Sequence, residues 1–223
     1  MASTPEQREV LPGSPSPPTR PPGLWRRWGR AFRDQTVFLP ALWRSPQTVG
    51  AVCPSSRALA RAMLTGHNLR QAGLVVELGP GTGAFTRVIL EALGPTTRFF
   101  ALEVDAGAVR HLHRVLPHVE VFHDSAERLD EYVVRSGRPQ VDAIVSGLPW
   151  AVLPEDLQRR IMTQVAGCLR PGGGFSTFAY QHARHSTAGR RYWRLLSTLF
   201  AQVTVSPTVW WNLPPAVVYH GVK

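Results

Sequence analysis

Short apolar runs and longer stretches of helical periodicity alternate along the chain from residue 74 onward. Leu74–Leu78, Arg98–Val104, Val119–His123, Val141–Val145 and Phe175–Tyr180 read as strands. Ala84–Leu93, Ala106–Val115, a segment ending near Arg135, Glu155–Leu169 and Ser186–Phe200 carry the spacing of amphipathic helices. Strands that alternate with helices predict an α/β fold with a mostly parallel sheet covered by helices on both faces. Two closing strands, Ala201–Val205 and Ala216–Tyr219, complete a seven-stranded sheet and predict an antiparallel C-terminal hairpin at one edge.

Upstream the pattern changes twice. Residues 1–23 are rich in Pro, Ser, Thr and Gly and hold too few apolar groups to bury, which predicts a disordered tail. In residues 24–36, Leu24, Trp25, Trp28 and Phe32 recur at helical spacing while Arg26, Arg27, Arg30 and Arg33 fill the other positions. This predicts an amphipathic helix with an aromatic face and a basic face. Ser55 or Ser56 is placed to N-cap a further helix running to about Leu64. The organisation expected is therefore a tail over 1–23, a docking segment over 24–44 and a folded domain over 45–223.

Charge sharpens this picture. The formal net charge is +10, and Lys223 is the single lysine among the cations. Such an imbalance predicts attraction to an anionic partner, either nucleic acid or a membrane surface. No apolar run is long enough to span a bilayer and no signal-peptide pattern opens the chain, so a cytoplasmic protein is expected. Cys53 and Cys168 form no disulfide framework and have no metal-ligand spacing, so both read as buried small hydrophobes, and no metal is expected.

The chemistry concentrates at predicted strand ends, where open α/β sheets bind their ligands. The first strand runs into Glu77-Leu78-Gly79-Pro80-Gly81-Thr82-Gly83, whose glycines let the backbone turn sharply beside a ligand. Gly79, Gly81 and Ala84 also satisfy a relaxed dinucleotide fingerprint. Against that reading, Glu77 offers a carboxylate that suits a cationic amine and not a pyrophosphate. Glu103 ends the second strand about 20 residues past the glycines, where an acid can hold ribose hydroxyls. Asp124 ends the third strand, where a carboxylate can take an adenine amino group.

This order, together with the Leu169-Arg170-Pro171-Gly172-Gly173 turn, resembles the class I S-adenosylmethionine-dependent methyltransferases and implies their Rossmann-like fold. The resemblance implies S-adenosylmethionine as cofactor. By position, Glu77, Gly79, Gly81 and Gly83 would contact its methionine part, Glu103 its ribose, and Asp124 with Ser125 its adenine. Ser146, ending the fourth strand, joins the same set.

Adenine N6-methyltransferases carry an Asn or Asp before Pro and an aromatic at the end of the fourth strand, where the aromatic stacks on a flipped base. This chain has Ser146-Gly147-Leu148-Pro149-Trp150: Trp150 could stack, but the amide is gone. That counts against nucleic acid and leaves an RNA adenine methyltransferase as the alternative reading. The segment is similar to that of bacterial phospholipid N-methyltransferases, as are Thr48–Ala60 and Trp211–Val217. This resemblance implies N-methylation of an aminophospholipid, phosphatidylethanolamine toward phosphatidylcholine, by a peripheral enzyme on the inner face of the cell membrane; a monomer is expected. Trp25, Trp28, Arg26 and Arg30 would dock on anionic lipid, with Pro149, Trp150, Arg184 and Arg190 on the substrate side. Tyr180 is the candidate for orienting the amine and His182 the candidate proton acceptor.

Overall fold

A computed structural model of the chain describes residues 56–223. The tail over 1–23, the segment over 24–44 with Trp25, Arg26, Trp28 and Arg30, and Cys53 lie outside the described residues. Helix α1 (Arg57–Leu64) begins at Ser56, whose hydroxyl accepts a bond from the Leu59 amide. The remaining elements are β1 (Leu74–Leu78), α2 (Ala84–Ala92), β2 (Arg98–Glu103), α3 (Ala106–Val115), β3 (Glu120–His123), α4 (Leu129–Arg135), β4 (Val141–Ser146), α5 (Glu155–Cys168), β5 (Leu169–Tyr180), α6 (Gln181–Arg184), α7 (Thr187–Leu199), β6 (Gln202–Val205) and β7 (Ala216–Val222).

The seven strands form one sheet in the order β3-β2-β1-β4-β5-β7-β6. The first five are parallel, and β7 runs antiparallel to both β5 and β6. The predicted hairpin therefore exists, with its second strand inserted next to β5 and its first strand at the edge. Every residue of β1 is buried, as expected of a central strand covered on both faces. Leu59, Met63, Phe85, Ile89, Val75 and Val145 form one cluster, and Val109 and Leu112 of α3 with Leu116 at its C-cap close a smaller cluster over Ala101 and Val121.

One boundary differs from expectation. The Pro-Gly-Gly segment is absorbed into β5, which starts at Leu169 and not at Phe175. Val141 pairs with Leu169 and Ala143 pairs with Gly174, so residues 170–173 bulge out of the ladder. Lys223 stabilises the bulge: its amide donates to the Gly173 carbonyl, and its ammonium donates to the Leu169 carbonyl at 2.6 Å. Cys168 is half-buried, and burial pushes its thiol up to about 11, so it stays protonated.

No helix among the described residues is long and apolar enough to cross a membrane. The order reverses between β1 and β4, each of which leads to helices on opposite sides of the sheet. Ligands of open α/β sheets bind beyond the strand ends at such a switch point, here the side of Leu78, Glu103, His123, Ser146 and Tyr180.

Candidate active site

Glu77, one residue before the end of β1, is fully buried. Its Oε2 accepts a 2.7 Å bond from the Thr86 hydroxyl on α2, while its Oε1 has no partner. Burial pushes the carboxyl up to about 8, with the Thr86 bond opposing and the nearby Glu103 charge adding to the rise. A buried carboxyl with one unpaired oxygen costs stability unless a partner arrives. An ammonium group next to it would satisfy that oxygen and draw the proton off the acid.

The loop that follows is held open by backbone conformation. Gly79, Gly81 and Gly83 have φ of 70°, 55° and 82°, a region that favours glycine. A Cβ at Gly79 would come within 2.8 Å of the Leu148 side chain, and one at Gly83 within 2.8 Å of Leu112. Glu103 is tied into the same loop. Its Oε2 accepts from the Gly81 amide at 3.0 Å and its Oε1 from the Asp105 amide at 2.9 Å. Each oxygen keeps a lone-pair direction for a hydroxyl. Burial raises the Glu103 pKa, and the backbone bonds oppose that rise.

The cradle therefore fits S-adenosylmethionine on its own chemistry. Glu77 supplies an unpaired acid, the glycine loop supplies backbone without side chains, and Glu103 supplies acceptors at the adjacent strand end.

Asp124 and Ser125 are used differently from the expectation. The Asp124 carboxylate faces its own turn, where Oδ2 accepts from Arg128 at 2.6 Å and from the Tyr132 hydroxyl at 2.8 Å. Its Oδ1 accepts from the Ser125 amide. The Ser125 hydroxyl caps the turn over residues 126–128 by accepting from the Glu127 amide. Both residues shape the loop after β3, and their side chains are engaged within it. Arg128 also pairs with Glu131.

The loop after β4 sits directly on the glycine loop. The Gly147 amide donates to the Leu78 carbonyl at 2.8 Å, and a Cβ at Gly147 would lie 2.5 Å from the Gly79 carbonyl oxygen. Ser146 is fully buried, and its hydroxyl accepts from the Leu148 amide. Pro149 is half-buried at the start of a short turn over Trp150–Val152.

Trp150 requires a correction. Expected as a stacking surface for substrate, it is 3% exposed and stacked on Tyr192 at 5.0 Å with the rings 16° from parallel. Its indole N–H donates to the Thr177 hydroxyl at 2.9 Å, and that hydroxyl donates to the Ser146 carbonyl. With one face against Tyr192 and its edge bonded, the ring belongs to the core.

Tyr180 ends β5 at the same rim, half-buried, edge-on to Phe178 and parallel to the His182 ring at 5.9 Å. Burial raises the Tyr180 pKa, which keeps the phenol neutral. His182 is exposed on the single turn of α6. Arg184 lies on α6 and Arg190 on the first turn of α7. The Arg184 charge acts on the Tyr219 phenol, and Arg190 donates to the His185 carbonyl.

Three residues missing from the sequence reading hold these loops: Thr86, Thr177 and Gln158. The Gln158 amide donates to the carbonyls of Trp150 and Leu153 at 2.6 and 2.8 Å. Thr86 and Gln158 each interrupt an apolar helical stripe, and a polar residue in such a stripe was the available signal. Among the described residues no cluster of His, Cys, Asp and Glu is arranged to hold a metal ion.

Comparison with known proteins agrees with this geometry. Residues 75–173 match the family described as a methyltransferase domain. The chain is 30% identical over 197 residues to the ornithine lipid N-methyltransferase of Singulisphaera acidiphila, covering 86% of this chain and 98% of that one. Among solved structures, it is similar to the O-methyltransferase TomG of Streptomyces achromogenes in complex with S-adenosylmethionine. That match has a TM-score of 0.60 and 19% identity, covering 89% of this chain and 98% of the other. The Bacillus cereus O-methyltransferase, in complex with S-adenosylhomocysteine, gives a TM-score of 0.61 at 13% identity and covers 87% and 91%. These two likenesses concern the fold. With the buried acid, the glycine cradle and the near-complete coverage of the lipid enzyme, the chain belongs to the class I S-adenosylmethionine-dependent methyltransferases, in the family that includes ornithine lipid N-methyltransferase.

Proposed function

We propose that this protein N-methylates the amino headgroup of a membrane lipid, with phosphatidylethanolamine, carried toward phosphatidylcholine, as its substrate. The observation that carries the reading is the match to a lipid N-methyltransferase along 98% of that enzyme's length. The same relative favours a second headgroup, that of ornithine lipid, which also offers a primary amine.

Bound S-adenosylmethionine supplies a methyl group on a sulfonium, an electrophile that an uncharged amine attacks in line. The protein's part is to align the amine, exclude water and accept one proton. A primary amine holds its proton up to about pH 10 in water, and burial lowers that value. Tyr180, kept neutral by burial, suits the role of orienting the amine through its hydroxyl. His182, exposed beside it, suits the role of passing the proton to solvent. Leu148, on the loop held by Gln158 and Thr177, packs next to Gly79 of the glycine loop.

The buried position of Trp150 argues against an RNA adenine acceptor, because a flipped base needs an open aromatic face. A lipid acceptor also suits the +10 charge, and we place the enzyme at the inner face of the cell membrane, held through its basic and aromatic residues. The test is incubation with labelled S-adenosylmethionine and three acceptors: vesicles of phosphatidylethanolamine with phosphatidylglycerol, vesicles of ornithine lipid with phosphatidylglycerol, and structured RNA. Label in phosphatidylethanolamine products is expected. Label in ornithine lipid alone would move the substrate to the second headgroup, and label in RNA alone would overturn the reading.

A further inference from the structure

The loop between β6 and β7 inverts the usual placement of residues. Trp210, Trp211 and Leu213 are 73%, 86% and 60% exposed, while the polar Asn212 between them is 4% exposed. Asn212 anchors the loop from inside. Its Oδ1 accepts from the Ser56 amide at 3.1 Å, its side-chain amide donates to the Pro214 carbonyl at 2.8 Å, and its backbone amide donates to the Val209 carbonyl. Val209 bridges to Ala216 across the loop's base. The tryptophans are thus held outward by a buried polar anchor on a closed loop. Exposed apolar clusters of this kind mark interaction surfaces.

Position and charge identify the partner. Ala216 pairs with Tyr180, and the Gln181 amide donates to the Pro215 carbonyl at 2.8 Å, so the loop rises from the same rim of the sheet as the candidate acceptor residues. From Leu157 to Lys223 the sequence contains no Asp or Glu, and that stretch holds eight of the 25 cations and none of the 15 anions. Four of these cations, Arg159, Arg160, Arg170 and Arg191, pair with Glu155, Glu127, Asp156 and Asp142, while Arg184 lies on α6, which directly follows Tyr180 at the rim from which the loop rises. A rigid aromatic projection with an arginine at its rim matches the water–lipid boundary of an anionic bilayer, where tryptophan sits at headgroup depth and arginine pairs with phosphate.

We propose that Trp210, Trp211 and Leu213 form a membrane-interface wedge that seats the rim of the active site on an anionic lipid surface. The wedge deepens the aminolipid reading and rests on it. It involves other residues than the segment over 24–44, and it brings a headgroup to Tyr180 without the lipid leaving the bilayer.

The experiment uses the full chain and vesicles of phosphatidylethanolamine and phosphatidylglycerol. Trp210→Ala with Trp211→Ala is expected to weaken vesicle binding tenfold or more while the thermal midpoint and S-adenosylmethionine affinity stay as in the parent. Trp210→Phe with Trp211→Phe is expected to restore most of the binding. Should the double alanine variant lose its fold, Trp211→Ala alone, at the more exposed position, carries the test. Vesicle binding equal to the parent's in the alanine variants overturns the wedge, as does loss of RNA retention with vesicle binding unchanged. Lipid methylation is scored separately. A parent that binds vesicles through the tryptophans yet methylates no lipid overturns the proposed function and supports the wedge. Methylation of lipid with binding indifferent to the tryptophans overturns the wedge alone.

Discussion

Glu77 is the residue on which the site's electrostatics turn. Its carboxyl ordinarily titrates near 4.5 and here sits at about 8, so near neutral pH the ligand-free acid is protonated. A cationic amine beside Oε1 favours the charged form, so cofactor binding is expected to release a proton and to tighten as pH rises toward 8. Calorimetry in buffers of different ionisation enthalpy reads that proton directly. Glu77→Gln keeps an acceptor for Thr86 but removes the charge. It is expected to cost roughly 2 kcal/mol or more of cofactor affinity, about 30-fold, and to abolish the proton release. The sign for stability is the reverse. The folded state holds the Glu77 proton to higher pH than the unfolded chain, so the stability linked to this acid is present below 4.5 and is lost as pH rises through about 8. His67 acts in the other direction. Burial lowers it to about 4, so its contribution is lost as pH falls below its ordinary 6.5. Between pH 6.5 and 8 Glu77 dominates, and denaturant titrations of the ligand-free protein should find stability declining there in the parent and flat in Glu77→Gln.

At the scale of elements, two loops are fastened to each other. The loop after β1 and the loop after β4 touch through Gly79 and Gly147, with 2.5 Å between the Gly79 oxygen and the place a Gly147 Cβ would occupy. Because the obstacle is backbone, Gly147→Ala must separate the loops. A loss of about 1–3 kcal/mol in stability and a parallel loss of cofactor affinity are expected, read by thermal melting and calorimetry. Trp150→Phe keeps an aromatic ring against Tyr192 but removes the donor to Thr177. It is expected to cost about 1 kcal/mol in urea denaturation with cofactor affinity unchanged. A fall in turnover with full stability would instead put Trp150 in contact with the acceptor. The strand and helix pattern was legible because β1 and the flanking helices obey simple periodicity. The start of β5 was not, because Pro171, Gly172 and Gly173 look like a terminating turn. They are kept in the strand as a bulge by Lys223, which lies 50 residues further along the chain.

At the scale of the molecule, charge is spread unevenly. All 15 anions precede Leu157, and the acids Glu127, Asp142, Glu155 and Asp156 reach across to pair with Arg159, Arg160, Arg170 and Arg191 of the later stretch, while the chain as a whole keeps a net +10. Vesicle binding is expected to weaken by at least about tenfold as salt rises from about 0.1 M to 0.5 M, since screening lengths fall from about 10 Å toward the size of a single contact. A salt-resistant remainder is expected from the aromatic residues. Co-sedimentation across a salt series measures both parts.

The sequence by itself determined the α/β architecture and the cofactor class, because strand ends and glycine spacing are local properties. It also pointed to an acceptor loop distinct from that of adenine enzymes. Tertiary structure decided which way the side chains face. Asp124 turns to Arg128 and Tyr132 because the start of α4 and the residue that precedes it bring them within bonding distance. Trp150 turns inward because α7 offers Tyr192 as a stacking partner. Trp210 and Trp211 turn outward because Asn212 takes the interior position with bonds to Ser56 and Pro214. Orientation depends on partners distant in the chain, and those partners exist only once the sheet has brought them together.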